Sequence, residues 1–101
     1  MKPRTSLQTF LETFLGSRNV YFQPPESVKM SYPAIVYALA DIQNLPADNA
    51  VYRQYTAYQI TIIDKDPDSQ FVRRMALVPM CRFERFYTSD NLNHFVYMLY
   101  Y

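Results

Sequence analysis

The stretch Tyr55–Ser69, YTAYQITIIDKDPDS, decides the fold. Tyr58, Ile60 and Ile62 alternate with Ala57, Gln59 and Thr61. That period of two predicts a strand, here central, with its apolar set turned to a core. The alternation breaks at Asp64-Lys-Asp-Pro-Asp-Ser69. There Asp66 or Asp68 is placed to cap a following helix, and Pro67 suits a first-turn position.

Downstream segments return to that strand. A helix of two to three turns fits Ser69–Leu77, burying Phe71, Val72, Met75 and Ala76, and Pro79 stops it. Cys81–Tyr87 reads as a strand, with Cys81, Phe83 and Arg85 on one side and Arg82, Glu84 and Phe86 on the other. Thr88–Asn93 is a turn-rich link. His94–Tyr101 (HFVYMLYY) is a last strand, apolar on both faces. Such a strand needs cover on both sides, from the domain's helices or from a neighbouring chain.

Upstream, Ile42–Val51 (IQNLPADNAV) reads as a polar loop carrying Pro46 and Asp48-Asn49. It is longer than common hairpin loops, which marks it as a candidate contact arm; a plain connection is the competing reading. Ala34–Asp41 is a nearly continuous apolar run, a strand covered on both faces or a short helix, with Val and Ile favouring the strand. Three prolines exclude a central strand from Gln23–Pro33 and leave a structured loop. Asn19–Phe22 fits a short edge strand. Leu7, Phe10, Leu11, Phe14 and Leu15 form the stripe of an amphipathic helix over Thr5–Leu15. Thr5 and Gln8 fit a capping box, and Gly16 is placed to end the helix in the left-handed conformation. The stripe reads as core.

The order predicts one α+β domain over residues 1–101. It has a small antiparallel sheet, mixed pairing being possible, of four to five strands with two helices packed on one face. Half the residues are hydrophobic and the formal net charge is +1, so the chain folds and carries no basic stripe of a free nucleic-acid binder. Ten tyrosines exceed what a core this size needs. They line either a half-exposed sheet or an assembly surface. One Cys excludes an intrachain disulfide, and no apolar run approaches a membrane span. The spaced apolar residues of MKPRTSLQTF do not form a signal peptide. A soluble cytoplasmic product is expected.

No constellation of catalytic or cofactor-binding residues emerges. Asp64, Asp66 and Asp68 begin like a calcium loop, but Ser69 stands where glycine is needed and Met75 where glutamate is needed. A helix N-terminus accounts for the same carboxylates. Cys81 and His94 are the only residues of their types, too few for a zinc site. A nucleophile pair would need them adjacent. Cys81 reads instead as a small buried hydrophobe, and His94 as a locally hydrogen-bonded strand residue. A single glycine rules out a phosphate-binding glycine loop. Arg73, Arg74, Arg82 and Arg85 read as a solvated helix face and as cross-strand partners for Glu84 and the aspartates. No enzymatic activity, cofactor or metal is expected.

Three segments resemble a known family: VYFQPPESVKMSYPAIVY (20–37), YQITIIDKDPDS (58–69) and TSDNLNHFVY (88–97). They are similar to tail completion, or tail terminator, proteins of tailed bacteriophages, and the resemblance spans nearly the whole chain from Val20. It implies a small α+β fold, a sandwich of a sheet and helices, and a non-enzymatic homo-oligomeric ring, usually a hexamer, at the head-proximal end of the tail tube. Such a ring ends tube polymerisation and joins the tail to the connector. The implied partners are further copies of the chain, the major tail tube protein, and the stopper or adaptor proteins of the connector. DNA would pass through the lumen without sequence-specific binding, and no membrane is involved. The implied location is the neck of the virion, after synthesis in the host cytoplasm. Loop length and composition nominate the contact residues: Gln43, Asn44, Leu45, Pro46, Asp48, Asn49, Tyr52 and Arg53, then Pro24 and Pro25, then Asp66 and Asp68. Two rival readings remain. One is a head-completion (stopper or adaptor) protein of the same neck. The other is a small hydrolase or metal protein using Cys81, His94 and the aspartates.

Overall fold

A computed structural model describes residues 3–25, 29–47 and 51–101, with the backbone alone for 44–47 and 51–54. The elements are α1 (Arg4–Leu15), β1 (Val20–Phe22), β2 (Ala34–Ala47), β3 (Val51–Asp64), α2 (Gln70–Ala76), β4 (Cys81–Ser89) and β5 (Leu92–Tyr100). They form an α+β domain around one mixed sheet of order β1-β2-β3-β5-β4. β1 pairs parallel with β2, and the other pairings are antiparallel.

Side-chain alternation gives the sheet two different faces. Ile35, Tyr37, Tyr58, Ile60, Ile62, Phe95, Tyr97 and Leu99 point to one side, where they meet Leu7, Leu11 and Leu15 of α1 and Phe71 and Met75 of α2. Both helices therefore lie on one face. Phe14 and Phe71 join them, ring centroids 5.9 Å apart. Ala34, Ala57, Thr61, Ile63 and Val96 point the other way and are also buried, although both described helices lie on the opposite face. On the face away from the helices β5 buries only Val96 and leaves His94, Met98 and Tyr100 half-buried, so the chain covers β5 fully on the helix side alone.

α1 ends on Gly16 in the left-handed conformation (φ 79°), as its lack of a Cβ permits. Its N-terminus differs from the expected capping box. Pro3 is the N-cap, without a side-chain cap bond. Thr5 lies inside the helix, and its carbonyl accepts from the Thr9 hydroxyl. Gln8 is used elsewhere, because a buried phenol lies within its reach. The Tyr37 hydroxyl donates to Gln8 Oε1, and Gln8 Nε2 donates to the Val20 carbonyl at 3.1 Å. Arg4 donates to the same hydroxyl and lies 4.4 Å above the Phe22 ring. One amide therefore ties α1 to both β1 and β2.

The cap of α2 is Ser69, whose hydroxyl accepts from the Phe71 N–H, rather than Asp66 or Asp68. The preceding carboxylates are engaged in local turns: Asp64 accepts from the Asp66 N–H at 3.1 Å, and Asp66 from the Asp68 N–H at 2.9 Å. α2 buries Phe71 and Met75, a narrower stripe than expected, with Ala76 exposed. Asp90 and Asn91, both at positive φ (53° and 62°), make the tight turn between β4 and β5.

Two local irregularities overturn the strict alternation. β4 shifts register between Phe83 and Arg85, so Phe83 and Phe86 share the helix side while Arg82 and Arg85 share the other. Arg82 pairs with Glu84 of its own strand at 3.2 Å rather than across strands. The second shift lies between Leu39 and Asp41.

The largest correction concerns Ile42–Val51. Strand pairing continues through it, from Asp41 opposite Ala57 to Ala47 opposite Val51. The expected ten-residue loop is the distal half of a hairpin, whose residues Asp48, Asn49 and Ala50 lie outside the described residues. Pro46 fits because of its position. Tyr37 accepts a bond from the Gln23 N–H across the outer edge of β2, and Tyr101 donates to Thr56 across the far edge of β3. With the bulge counted, Ile42, Asn44 and Pro46 all turn their backbone groups outward. A proline there interrupts no bond to β3.

If Gln8 acts through Tyr37 and Val20, Gln8→Ala should lower unfolding stability by about 1–3 kcal/mol, because the Tyr37 hydroxyl proton loses its acceptor and the Val20 carbonyl its side-chain donor. Thr5→Ala should change it by less than about 0.5 kcal/mol. Urea unfolding followed by circular dichroism measures both; equal losses would restore the capping box.

Candidate functional site

β1 pairs with β2 only as far as Phe22 opposite Tyr37, and β5 pairs with β3 only as far as Tyr100 opposite Ala57. Past those points β2 and β3 continue together as a two-stranded arm. From Asp41 to Ala47 the arm reaches about 20 Å at ~3.3 Å per residue. The molecule is accordingly long, with principal-axis extents of 52 × 25 × 23 Å. At its root Leu39 and Ile42 are exposed, at 47% and 49%. Both belong to the helix side of the sheet by register, and Asp41 and Gln43 belong to the other.

The candidate contact residues separate into two ends of the sheet. Gln43, Asn44, Leu45, Pro46, Tyr52 and Arg53 lie on the arm, whereas Asp48 and Asn49 are outside the described residues. Pro24 and Pro25 follow the end of β1, which runs parallel to β2, and so share the arm's end of the sheet. Asp66 and Asp68 are exposed at the opposite end, beyond Asp64. No single surface unites the three groups.

A second exposed feature was not marked by sequence. β4 is an edge strand, and every residue in it except Cys81 is exposed. Phe83 and Phe86 are 48% and 49% exposed, and Tyr87 42%. Phe83 packs edge-on against buried Tyr97 and Phe86 against Phe95, so one side of each ring is anchored and the other free. The available signal was the spacing of three shared by Phe83/Phe86 and Arg82/Arg85. One bulge explains both. Tyrosines divide between the two earlier readings: Tyr37, Tyr58 and Tyr97 are core, while Tyr21, Tyr32, Tyr55, Tyr100 and Tyr101 are half-buried.

Cys81 and His94 do not meet. Cys81 stands opposite Leu99 on the helix side, and His94 stands opposite Tyr87 on the other face. Five residues along β5 separate their register positions, about 17 Å at ~3.3 Å per residue. His94 stacks on Tyr87 at 4.5 Å, and its Nδ1 lies 3.2 Å from the Leu92 carbonyl. Burial pushes the Cys81 thiol up to about 11, the wrong direction for a nucleophile at neutral pH. Burial likewise raises Tyr97 to about 12, with its hydroxyl donating to the Val72 carbonyl at 2.7 Å. Among the described residues no group of acidic, His and Cys side chains is arranged to hold a metal, and no helix is long and apolar enough to cross a membrane.

No protein-family model, curated protein or solved structure matches the chain.

Raised acid pKa values favour the protonated folded state, so their stabilisation is intact below the unfolded pKa and is lost as pH rises toward the folded one. Thermal unfolding temperature should therefore fall between about pH 9 and 11 through Cys81 (ordinary value 9.0), and further toward pH 12 through Tyr97. Calorimetry of Cys81→Ala should remove the earlier part of that fall. Alkylation of Cys81 at pH 7.5 should be slower than that of free cysteine; faster labelling would contradict the assigned environment.

Proposed function

We propose that this protein is a non-enzymatic, ring-forming assembly protein of the phage neck, a tail terminator or tail completion protein. It ends the tail tube and joins it to the connector. The observation that carries the reading is the arm. An isolated two-stranded ribbon is marginal in water, because it has few neighbours to bury and two rows of unpaired backbone groups. A chain gains from extending one when another surface receives it. The small one-sided α+β domain supports the same reading, since it agrees with the fold implied by the family resemblance. Exposed aromatic residues on β4 supply a second surface suited to protein contact.

A heterologous contact between such surfaces closes into a cyclic oligomer when the rotation permits. In this reading the ring is a hexamer whose two sides meet the major tail tube protein and the stopper or adaptor proteins. DNA passes through the lumen, attracted without sequence readout by any basic residues that face it. The protein acts in the virion, at the head-proximal end of the tail.

The test is a phage carrying a shortened arm. Gln43 and Tyr55 are already opposite one another, so an Asn-Gly turn in place of residues 44–54 closes a normal two-residue hairpin. The shortened protein should fold but fail to complete tails, leaving overlong or unattached tails in negative-stain images. Normal infectious particles would overturn the proposal. DNA-leaking heads with normal tails would move it to the stopper role.

A further inference from the structure

We propose that the open edge of β4 receives the arm of a second copy, so that the sheet continues from one subunit into the next. This rests on the self-association proposed above, but not on its setting in a phage neck.

Strand chemistry fixes the class of occupant. Each free edge presents unpaired N–H and C=O groups that an extended strand satisfies. On the arm the outer edge of β2 is closed as far as Leu39, whose N–H donates to the Gln23 side chain at 3.1 Å. Beyond it, the outward groups of Ile42 and Asn44, and the carbonyl of Pro46, have no strand beside them among the described residues. β4 offers nine residues with no outer neighbour in the sheet.

The two edges match face by face, which is why the occupant is a second copy. In a continuous sheet the helix sides align. Phe83 and Phe86 of one copy then adjoin Leu39 and Ile42 of the next, and all four are now 47–49% exposed. On the other face Arg82 and Arg85 adjoin Asp41. Those are the only charges that register places there on the two edges over Leu39–Gln43 and Cys81–Ser89, apart from Glu84 at the bulge, which pairs with Arg82. Apolar meets apolar, and positive meets negative, without turning either strand over. The reverse alignment would set Asp41 against phenylalanine. A bulge and charges on β4 discourage indiscriminate pairing and leave the complementary edge as the favoured one. The contact joins the lateral edge of one sheet to the overhanging end of another. It is staggered along the strands, as closure of a sheet into a barrel requires.

Charge reversal tests it on the purified protein. Asp41→Arg alone and Arg82→Asp/Arg85→Asp alone should each weaken self-association about tenfold or more, because like charges then face each other. Sedimentation equilibrium measures that, and a chain carrying all three changes should recover most of it. Disulfide mapping is the second readout, in a Cys81→Ala background. Mixed Ile42→Cys and Phe83→Cys proteins should form the heterotypic cross-link, above any link to a Leu77→Cys control. Oligomers that ignore the charge changes and give no 42–83 link would overturn this contact while leaving the ring reading intact. A protein that stays monomeric at all accessible concentrations would overturn both. Rescue by the triple change combined with normal particles from the arm-shortened phage would uphold the contact and remove the phage role.

Discussion

The pairing of β2 with β3 is the constraint on which the structure depends. These are the two 14-residue strands, and each outruns its other neighbour. Where β1 and β5 flank them, their helix-side residues Ile35, Tyr37, Ile60 and Ile62 are fully buried and seat both helices. Where the flanking strands stop, the same pair continues without a third strand paired to it among the described residues. Core and arm are thus two ends of one hairpin. The bulge after Leu39 marks the transition and resets which backbone groups face outward.

The helices complete the core by different means. α1 is held by a leucine stripe and by Gln8, which reaches a buried phenol and a strand carbonyl at once. α2 is short and is held by Phe71, Met75 and the hydroxyl of Tyr97. α2 reaches β4 and forms a shallow groove with Phe83, but β4 stays an edge strand with Phe83 and Phe86 about half exposed.

Sequence periodicity disclosed what depends on regular spacing. The leucines of the α1 stripe, the glycine stop and the alternation in β3 need only local geometry, and the α+β architecture followed from them; of the same stripe, Phe14 is only partly buried and Phe10 is exposed. What periodicity missed depends on tertiary position. Pro46 argued for a loop because proline cannot donate to a ladder, but at an outward position no donation is required. Ser69 and the aspartates before it compete for the same cap, and only the turn geometry selects the serine. The Thr5–Gln8 spacing fits a capping box, and Tyr37, the partner that Gln8 takes instead, is distant in sequence. The candidate arm was legible as a segment, in Gln43–Arg53, but not as a ribbon. Strict alternation puts Phe83 and Phe86 on opposite faces, and only the spacing of three that they share with Arg82 and Arg85 marks the bulge.

The proposed function rests on one claim, that the arm, a two-stranded ribbon in a single chain, is completed by a second copy. Hydrogen–deuterium exchange as a function of protein concentration tests this most directly. The outward amides of Ile42 and Asn44 should exchange rapidly in dilute protein and become protected as oligomers form, while those of Ile60 and Tyr97 stay protected throughout. Protection at Ile42 and Asn44 that is the same at every concentration would contradict the account.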